Sequence, residues 1–527
     1  MKNISIFNKL GHLQKSNNSP LRTICSTKSL ISSLFHFIVS HAKPFWAHIF
    51  YFLVVTMFGY LGLKFSTPKS NYIPDDFDLF FTSASAATVA SLSTVEMEVF
   101  SNTQLVIMTI LIFLGGEIFI SLLALQFKLV KLISSCLDKD NSFITDPQSN
   151  VELGTIINDN SFISEHNETT SSLQYKSIKS LGYVVMGYVL VVHALGIILV
   201  SMYICYTTSA KNVLENKGLV LQTFSIFTTV STFANCGFVP TNENMIVFRN
   251  NPGLLLILIP LGLIGETLYP PCLRLIVYVL EKFTKKKEYT YILKNYEELD
   301  YGHLMSNIEC RFLAGTVLVF LILQFMTFCV MEWSSQVMEG MRTYEKIVAS
   351  LFQTANVRHA GESVVDLSIV STAILVIFVV MMYFPPYTMF LPIGYEQQQE
   401  TLQSNKSSTK HKKTNIIVKN VLFSQLSYLT IFVILLCVTE RKSLKEDPLN
   451  FTLLNIVFEV ISGYGSVGFS TGYSCKRRLK LDNFCIDKSY GLVGKFSKEG
   501  KFIIIVVMFY GRLKKFNMHG GKAWRLG

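Results

Sequence analysis

Residues 227–238 read FTTVSTFANCGF, and residues 458–469 read FEVISGYGSVGF. Two further stretches keep the same spacing, FTSASAATVASL at 81–92 and LFQTANVRHAGE at 351–362. Aligned on a small residue near the end, the four stretches share a centre, which is Ser91, Gly237, Gly361 or Gly468. Each stretch lies between two long apolar runs, and the centres are roughly a hundred residues or more apart, so the repeat is of domain size. The chain is therefore predicted to contain four similar units.

The segments before the centres predict re-entrant hairpins. The stretches 77–90, 219–236, 345–360 and 452–467 are too short or too polar to cross a bilayer, which needs about 20 apolar residues. Non-helical backbone at membrane depth is tolerated only where protein or a water-filled cavity surrounds it. Four hairpins around one axis would shield each other and line that axis with oxygen atoms, as ion selectivity filters do. We expect an all-α polytopic membrane protein, with four span–pore loop–span units around a central pore.

The composition supports a membrane protein. Half of the 527 residues are hydrophobic and only 16% are charged, whereas soluble domains are about a quarter charged. Eight apolar runs approach or reach the spanning length, at 46–65, 105–127, 181–206, 253–280, 310–333, 368–394, 422–439 and 500–511. The sequence contains no metal-ligand cluster, nucleophile motif or phosphate-binding loop, so we expect neither an enzyme nor a cofactor.

The basic residues indicate the orientation of the chain. The net charge of +11 is concentrated in residues 1–46 and in the segments that follow the fourth, sixth and eighth runs. With eight spans these segments fall on one side, which the positive-inside rule makes cytosolic. Both termini are therefore predicted to be cytosolic, and a nucleic-acid partner is not expected.

The predicted division of the chain alternates pore units with cytosolic segments. It consists of a cytosolic N-terminal region at 1–45, pore unit A at 46–130, a cytosolic linker at 131–180, pore unit B at 181–282, a cytosolic loop at 283–303, pore unit C at 304–395, a cytosolic loop at 396–421, and pore unit D with the C-terminal tail at 422–527.

The centres have the chemistry of a selectivity filter. Glycine permits positive φ values and leaves no side chain in the lumen, so backbone carbonyls can turn toward a passing ion. Gly237 and Gly468 fit this pattern well, whereas Gly361 is recognised mainly from its spacing. Ser91 is the exception, because its side chain would narrow the ring, add a hydroxyl ligand and make a left-handed conformation costly. The alternative is a serine that simply bonds to nearby backbone.

Four residues outside the centres are further candidates. Arg512, in the last apolar run, is a candidate barrier in the pore, because ionisable residues at membrane depth usually face a cavity or a partner. The alternative is an arginine whose side chain reaches the cytosolic interface. Cys475 and Cys485 share a predicted outer loop, where they either form a disulfide or stay as two unpaired thiols. Asn450 begins a glycosylation sequon in a predicted outer segment.

Longer motifs around the centres are highly specific. They read DFDLFFTS at 76–83, SLSTVEMEVFSN at 91–102, STFANCGFVPTN at 231–242 and YGSVGFSTGY at 464–473. Here the chain resembles the plant high-affinity potassium transporter family, which is related to the bacterial Trk and Ktr potassium uptake systems. The resemblance runs from about residue 45 to the C-terminus.

Further expectations about selectivity, oligomeric state and location come from the resemblance alone. In that family a serine at the first centre tends to accompany sodium selectivity and a glycine potassium permeation, so Ser91 resembles the sodium-selective subfamily. The resemblance also implies a homodimer with one pore in each subunit, and sodium retrieval at the plasma membrane of plant cells. A basic residue of the last helix, at the position of Arg512, is implied to hinder permeating cations.

The expected function is therefore passive, sodium-selective conduction across the plasma membrane through a Ser-Gly-Gly-Gly filter. The partners would be the lipid bilayer and permeating Na⁺, with no bound metal beyond that ion. The nearest alternative is a Na⁺/K⁺ co-transporter or K⁺ uptake system of the same fold. An alternating-access carrier and a non-conducting membrane scaffold are more distant alternatives.

Overall fold

A computed structural model describes residues 44–69, 72–143, 160–390, 425–478, 485, 487–517 and 525–526. The chain divides into two parts, Met1–Ala47 with Val130–Ser149 and His48–Leu129 with Asn150–Gly527. The residues discussed as a site below belong to the second part. Most of the predicted cytosolic region at 1–45, all of the loop at 396–421 and most of the C-terminal tail lie outside the described residues.

The described residues are mostly helical. The α-helices are α1 (Pro44–Phe65), α2 (Asp76–Ala87), α3 (Asn102–Gly115), α4 (Glu117–Phe143), α5 (Asn160–Tyr206), α6 (Thr208–Asn216), α7 (Leu221–Phe233), α8 (Pro252–Gly265), α9 (Tyr269–Thr284), α10 (Lys287–Lys294), α11 (Asn307–Glu332), α12 (Thr343–Asn356), α13 (Thr372–Tyr383), α14 (Gln425–Thr439), α15 (Arg441–Glu446), α16 (Leu453–Gly465) and α17 (Lys498–Asn517). Short 3₁₀ turns cover Met97–Val99, Asn244–Phe248, Gln336–Met338, Cys475–Arg477 and Leu492–Lys495. Strands β1 (Met389–Phe390) and β2 (Arg525–Leu526) pair in parallel, with Met389 opposite Arg525.

The same helical order recurs four times. A first span, a short pore helix and a second span follow one another in each unit. The pore helices are α2, α7, α12 and α16; α7 and α16 lie within segments predicted to be re-entrant, and α2 and α12 begin one and two residues before theirs. Polar side chains begin two of them, since Asp75 accepts from the N–H of Asp76 and Thr452 accepts from the N–H of Asn455. The pore helices are packed on their spans, so that α2 contacts α3 and α16 contacts α17.

The spans make this a multi-pass membrane protein. Among the described residues, 46–65 of α1, 173–206 of α5 and all of α11 form single helices that are long and apolar enough to cross a bilayer. Two further spans are bent helix pairs, α3 with α4 at 56° and α8 with α9 at 80°. The predicted runs at 105–127 and 253–280 are therefore broken helices. Pro270 explains the second break, because proline within the first turn of α9 cannot donate to the preceding helix.

Glycines in three second spans touch the ends of the pore helices. A Cβ built on Gly115 would lie 2.2 Å from the carbonyl oxygen of Ala87, the last residue of α2. Cβ atoms on Gly265 and Gly511 would each lie 2.0 Å from the equivalent carbonyl oxygens, those of Phe233 and Tyr464. Only a residue without a side chain permits this approach. These contacts hold the three second spans directly against the C-terminal ends of their pore helices.

Three predicted segments differ in detail from the helices that the structure describes. Within the described part of the predicted run at 368–394, the helix covers only Thr372–Tyr383, because Pro385 and Pro386 follow and a residue before proline avoids helical conformation. The linker expected at 131–180 is helical at 131–143 and 160–180, as extensions of α4 and α5, while 144–159 lie outside the described residues. The run at 500–511 is part of the 20-residue helix α17, which is not apolar enough throughout to be recognised as a span by composition.

Candidate ion-selectivity filter

Left-handed residues alternate through the loops that follow the pore helices. In units A, B and D, positive φ values occur at the centre and two residues before it. These residues are Val89 (51°) and Ser91 (53°), Asn235 (54°) and Gly237 (92°), and Ser466 (55°) and Gly468 (92°). In unit C the corresponding loop has Gly361 at 64°. A left-handed residue reverses the direction of the peptide next to a right-handed one, which is how a loop can aim several carbonyls at one axis.

The four centres meet in one ring. A Cβ built on Gly237 would lie 1.5 Å from the carbonyl oxygen of Ala360, and one on Gly361 would lie 1.7 Å from that of Val467. A Cβ on Gly468 would lie 2.4 Å from the Cβ of Ser91. On the remaining side Cys236, next to Gly237, lies against the backbone of Ser91. Each loop therefore touches the next, in the order A, B, C and D.

Hydroxyl groups of the pore helices anchor two of the loops. The N–H of Gly237 donates to Oγ of Ser231, and the N–H of Gly468 donates to Oγ of Ser462, both at 3.1 Å. Both serines lie six residues before their centre. Unit C has Ala355 at that position, and there the N–H of Gly361 donates to the carbonyl oxygen of Asn356 at 3.1 Å. The third loop is therefore anchored to its pore helix through a backbone carbonyl instead of a serine hydroxyl.

Ser91 has the strained conformation that its position requires. A φ of 53° costs a non-glycine residue about 1–2 kcal/mol, yet Ser91 adopts it as the glycines at the other centres do. Its side chain faces Gly468, because the Oγ of Ser91 would lie 3.0 Å from a Cβ built on that glycine. One side of the ring is therefore occupied by a hydroxymethyl group that the other three lack.

A cavity of about 610 Å³ opens on one side of the ring. All four centres line it, together with Glu243, Asp366, Asp487, Lys476, Arg477 and Lys488. At its edge, the Lys217 ammonium lies 2.5 Å from carboxylate oxygens of both Glu98 and Glu243. Partial burial would lower the pKa of Lys217, but these two carboxylates outweigh burial and raise it. The bridge ties the segment after centre A to the segment after centre B.

Charged side chains converge on the other side of the ring. Glu117, Glu266 and Arg512 line one small cavity together with Asn235, and each charged residue closely follows one of the second-span glycines. Arg512 is 1% exposed and donates to the carbonyl oxygen of Gly115. The guanidinium therefore does not extend to an interface with water. Its charge lies in the field of both carboxylates.

The remaining predicted residues lie close to Ser474, which lines the 610 Å³ cavity. Cys475 and Cys485 form a disulfide in the structure. Asn450 is fully buried, and its Nδ2 donates to both carboxylate oxygens of Asp447 and to the carbonyl oxygen of Ser474. A glycan needs an accessible Nδ2, so the prediction of glycosylation at Asn450 does not fit the folded chain.

The sequence analysis did not identify two pore-helix side chains that hydrogen-bond to the loops after the centres. Oε1 of Glu459, in α16, accepts from Oγ of Ser470 at 2.5 Å and from the N–H of Thr471 at 3.3 Å. Oε1 of Gln353, in α12, accepts from the N–H of Val364 at 3.0 Å and lies 3.3 Å from Oγ of Ser363. Glu459 in unit D and Gln353 in unit C therefore each accept a hydrogen bond from a backbone N–H of the loop that follows their pore helix. The sequence feature that could have identified Glu459 and Gln353 is a polar residue on the otherwise apolar face of a pore helix.

Comparison with known proteins gives consistent similarities. The family model TrkH, described as a cation transport protein, matches residues 151–518. The chain is 48% identical over 482 residues to the sodium transporter HKT1 of Arabidopsis thaliana, covering 88% of this chain and 92% of the relative. It is 46% identical to the cation transporter HKT1;3 of Oryza sativa subsp. japonica, covering 95% of this chain and 94% of the relative.

More distant similarities extend to potassium transporters. The potassium transporter TRK1 of Candida albicans is 25% identical over 362 residues, which cover 66% of this chain and 33% of the relative. The solved structure of the potassium transporter TrkH from Vibrio parahaemolyticus superimposes with a TM-score of 0.50, at 14% identity, over 90% of this chain and 84% of that chain. At that identity the likeness concerns the fold alone.

Proposed function

Because the chain belongs to the TrkH family of cation transport proteins, we propose that it conducts Na⁺ passively through the ring of Ser91, Gly237, Gly361 and Gly468. The observation that carries this proposal is the contact of four loops from four units in a single ring, with positive φ at every centre. Backbone oxygens in such a ring can replace the water shell of a cation without a fixed charge that would trap it.

Sodium is the proposed ion for two reasons. The hydroxymethyl group of Ser91 occupies ring space beside Gly468, so the aperture favours the smaller of the two common monovalent cations. The relative with 48% identity is named a sodium transporter. A K⁺ uptake system or Na⁺/K⁺ co-transporter is the second candidate, favoured by the similarity to proteins named potassium transporters.

The membrane setting is part of the proposal. We place the chain in the plasma membrane with both termini cytosolic, so that the 610 Å³ cavity and the disulfide face outward. An oxidising exterior is compatible with that bond. Pairing of two subunits, each with its own pore, is proposed from the resemblance.

The test is an ion-replacement measurement on the wild-type chain in oocytes. We expect inward current in Na⁺ solution, a reversal potential that follows the Na⁺ gradient, and little current when K⁺ replaces Na⁺. Equal Na⁺ and K⁺ conductance would support the second candidate instead. Absence of any cation current, with the protein present at the surface, would refute conduction itself.

Replacing Arg512 by glutamine should raise the inward Na⁺ current severalfold. The guanidinium lies below the ring, beside Glu117 and Glu266, and removing about 1 kcal/mol of repulsion changes a rate about fivefold. Arg512→Lys is the control, because it keeps the charge and should stay close to wild type. Currents are compared at equal surface abundance, and a fall in current for Arg512→Gln alone would contradict the barrier.

A further inference from the structure

The residue that follows each centre is buried, and in three units it is apolar. Leu92, Phe238 and Phe469 are each no more than 2% exposed. Unit C has Glu362 at this position, and its side chain is fully buried as well. A carboxyl group therefore occupies a place that is built from hydrocarbon in the other three units. An ionised carboxylate in such a place would need strong compensation.

Glu362 contacts the neighbouring unit. Its Oε1 lies 2.5 Å from Oγ1 of Thr232, which belongs to the pore helix α7 of unit B. Its Oε2 has no hydrogen-bond partner in the part of the chain that the structure describes. No ion pair involves Glu362 among those residues. The carboxyl group thus has one hydrogen-bond contact and no compensating cation.

Counting protons at Thr232 favours a neutral carboxyl group. Oγ1 of Thr232 lies 2.8 Å from the carbonyl oxygen of Thr228 and 2.5 Å from Oε1 of Glu362, but it has only one proton to donate. Both contacts can be hydrogen bonds only if Glu362 is protonated and donates to Thr232 while Thr232 donates to Thr228. A neutral acid also avoids the cost of a fully buried carboxylate without a cation beside it.

We infer that Glu362 is a positioning residue that, as a neutral carboxylic acid, ties the filter loop of unit C to the pore helix of unit B through Thr232. This inference rests on the proposed function, because it assigns Glu362 a part in setting the aperture of the same ring. The tie lies next to the closest approach of two loops, where a Cβ on Gly237 would lie 1.5 Å from the carbonyl oxygen of Ala360. Loosening it would change the spacing of Gly237 and Gly361, and with it the discrimination between cations.

The test compares Glu362→Gln with Glu362→Leu in ion-replacement recordings, at measured surface abundance. Glutamine carries an N–H donor and no charge, so we expect its Na⁺/K⁺ permeability ratio to stay within about twofold of wild type. Leucine matches the apolar residue of unit A but cannot donate, and we expect the ratio to fall about tenfold, as loss of one buried hydrogen bond allows. If glutamine is as impaired as leucine, the acid acts as an ion and the inference is wrong. It is also wrong if leucine matches wild type.

A second pair of variants covers the case in which Glu362→Leu does not reach the surface. Thr232→Val removes the acceptor and should lower the permeability ratio, whereas Thr232→Ser keeps it and should not. A double variant with both Glu362→Leu and Thr232→Val should be no worse than either single change, because both break one bond. Normal selectivity in Thr232→Val would overturn the inference. Should the wild-type chain prefer K⁺, the proposed sodium selectivity fails, but the same variants still decide the inference through that ratio.

Discussion

Alanine at position 361 should abolish the cation current, whereas alanine at position 472 should leave it nearly unchanged. Gly361 and Gly472 have almost the same backbone, with φ values of 64° and 63°. Alanine therefore pays a similar conformational penalty at both, about 1–2 kcal/mol. The difference lies in the surroundings, because a Cβ on Gly361 would lie 1.7 Å from the carbonyl oxygen of Val467 while one on Gly472 would have no atom within 4 Å.

Comparing Gly361→Ala with Gly472→Ala therefore separates the effect of backbone strain from the effect of a steric clash with the neighbouring loop. A Cβ at 361 must push the third loop away from the fourth, which opens the ring at one side. Whole-cell current at equal surface abundance is the measurement, and we expect a loss of at least about tenfold for Gly361→Ala. Equal effects of the two substitutions would mean that backbone strain alone is responsible. A normal current in Gly361→Ala would show that position 361 does not belong to the conducting ring.

Glycine at position 91 should shift the permeability from Na⁺ toward K⁺, by about tenfold in the ratio. The substitution removes the only side chain among the four centres and relieves the strain of a serine at φ 53°. The carbonyls of the ring would then meet the larger ion without a hydroxymethyl group beside Gly468. Reversal potentials in mixed Na⁺ and K⁺ solutions give the ratio directly.

Ser91→Ala identifies which part of the serine acts. Alanine keeps the Cβ that faces Gly468 and loses the hydroxyl ligand. If narrowing of the ring selects Na⁺, as the short contact suggests, the alanine variant should remain sodium-selective. An alanine variant that behaves like the glycine variant would instead assign selectivity to the hydroxyl group. An unchanged ratio in Ser91→Gly would contradict any role of this side chain in selectivity.

The family and the fold class were predictable, and both predictions are confirmed. Apolar run length and the spacing of small residues identified the units, since each centre needs a pore helix before it and a span after it. The break after Gly265 and the end of α13 before Pro385 were missed, although proline marked both places. The length of an apolar run does not show where a proline interrupts the helix. The role of the four centres in conduction stays a prediction.

Contacts between units could not be predicted from one sequence. Thr232 and Glu362 are 130 positions apart, and nothing in either stretch identifies the other as its partner. The same holds for the support that Glu459 gives to Ser470, where only the acid on an apolar helix face was visible. Asn450 is a related case, because a sequon shows which residues could be modified but not whether the amide is buried.

The ring is assembled from one polypeptide, and its four quarters are encoded separately. In a pore made of four identical chains, one codon change alters every quarter at once. Here a mutation at 91 leaves 237, 361 and 468 untouched, so under the proposed function the ion preference can change in small steps while the rest of the ring is preserved. A lineage exposed to changing salt could therefore adjust its permeability gradually, without passing through a form in which the whole ring is lost.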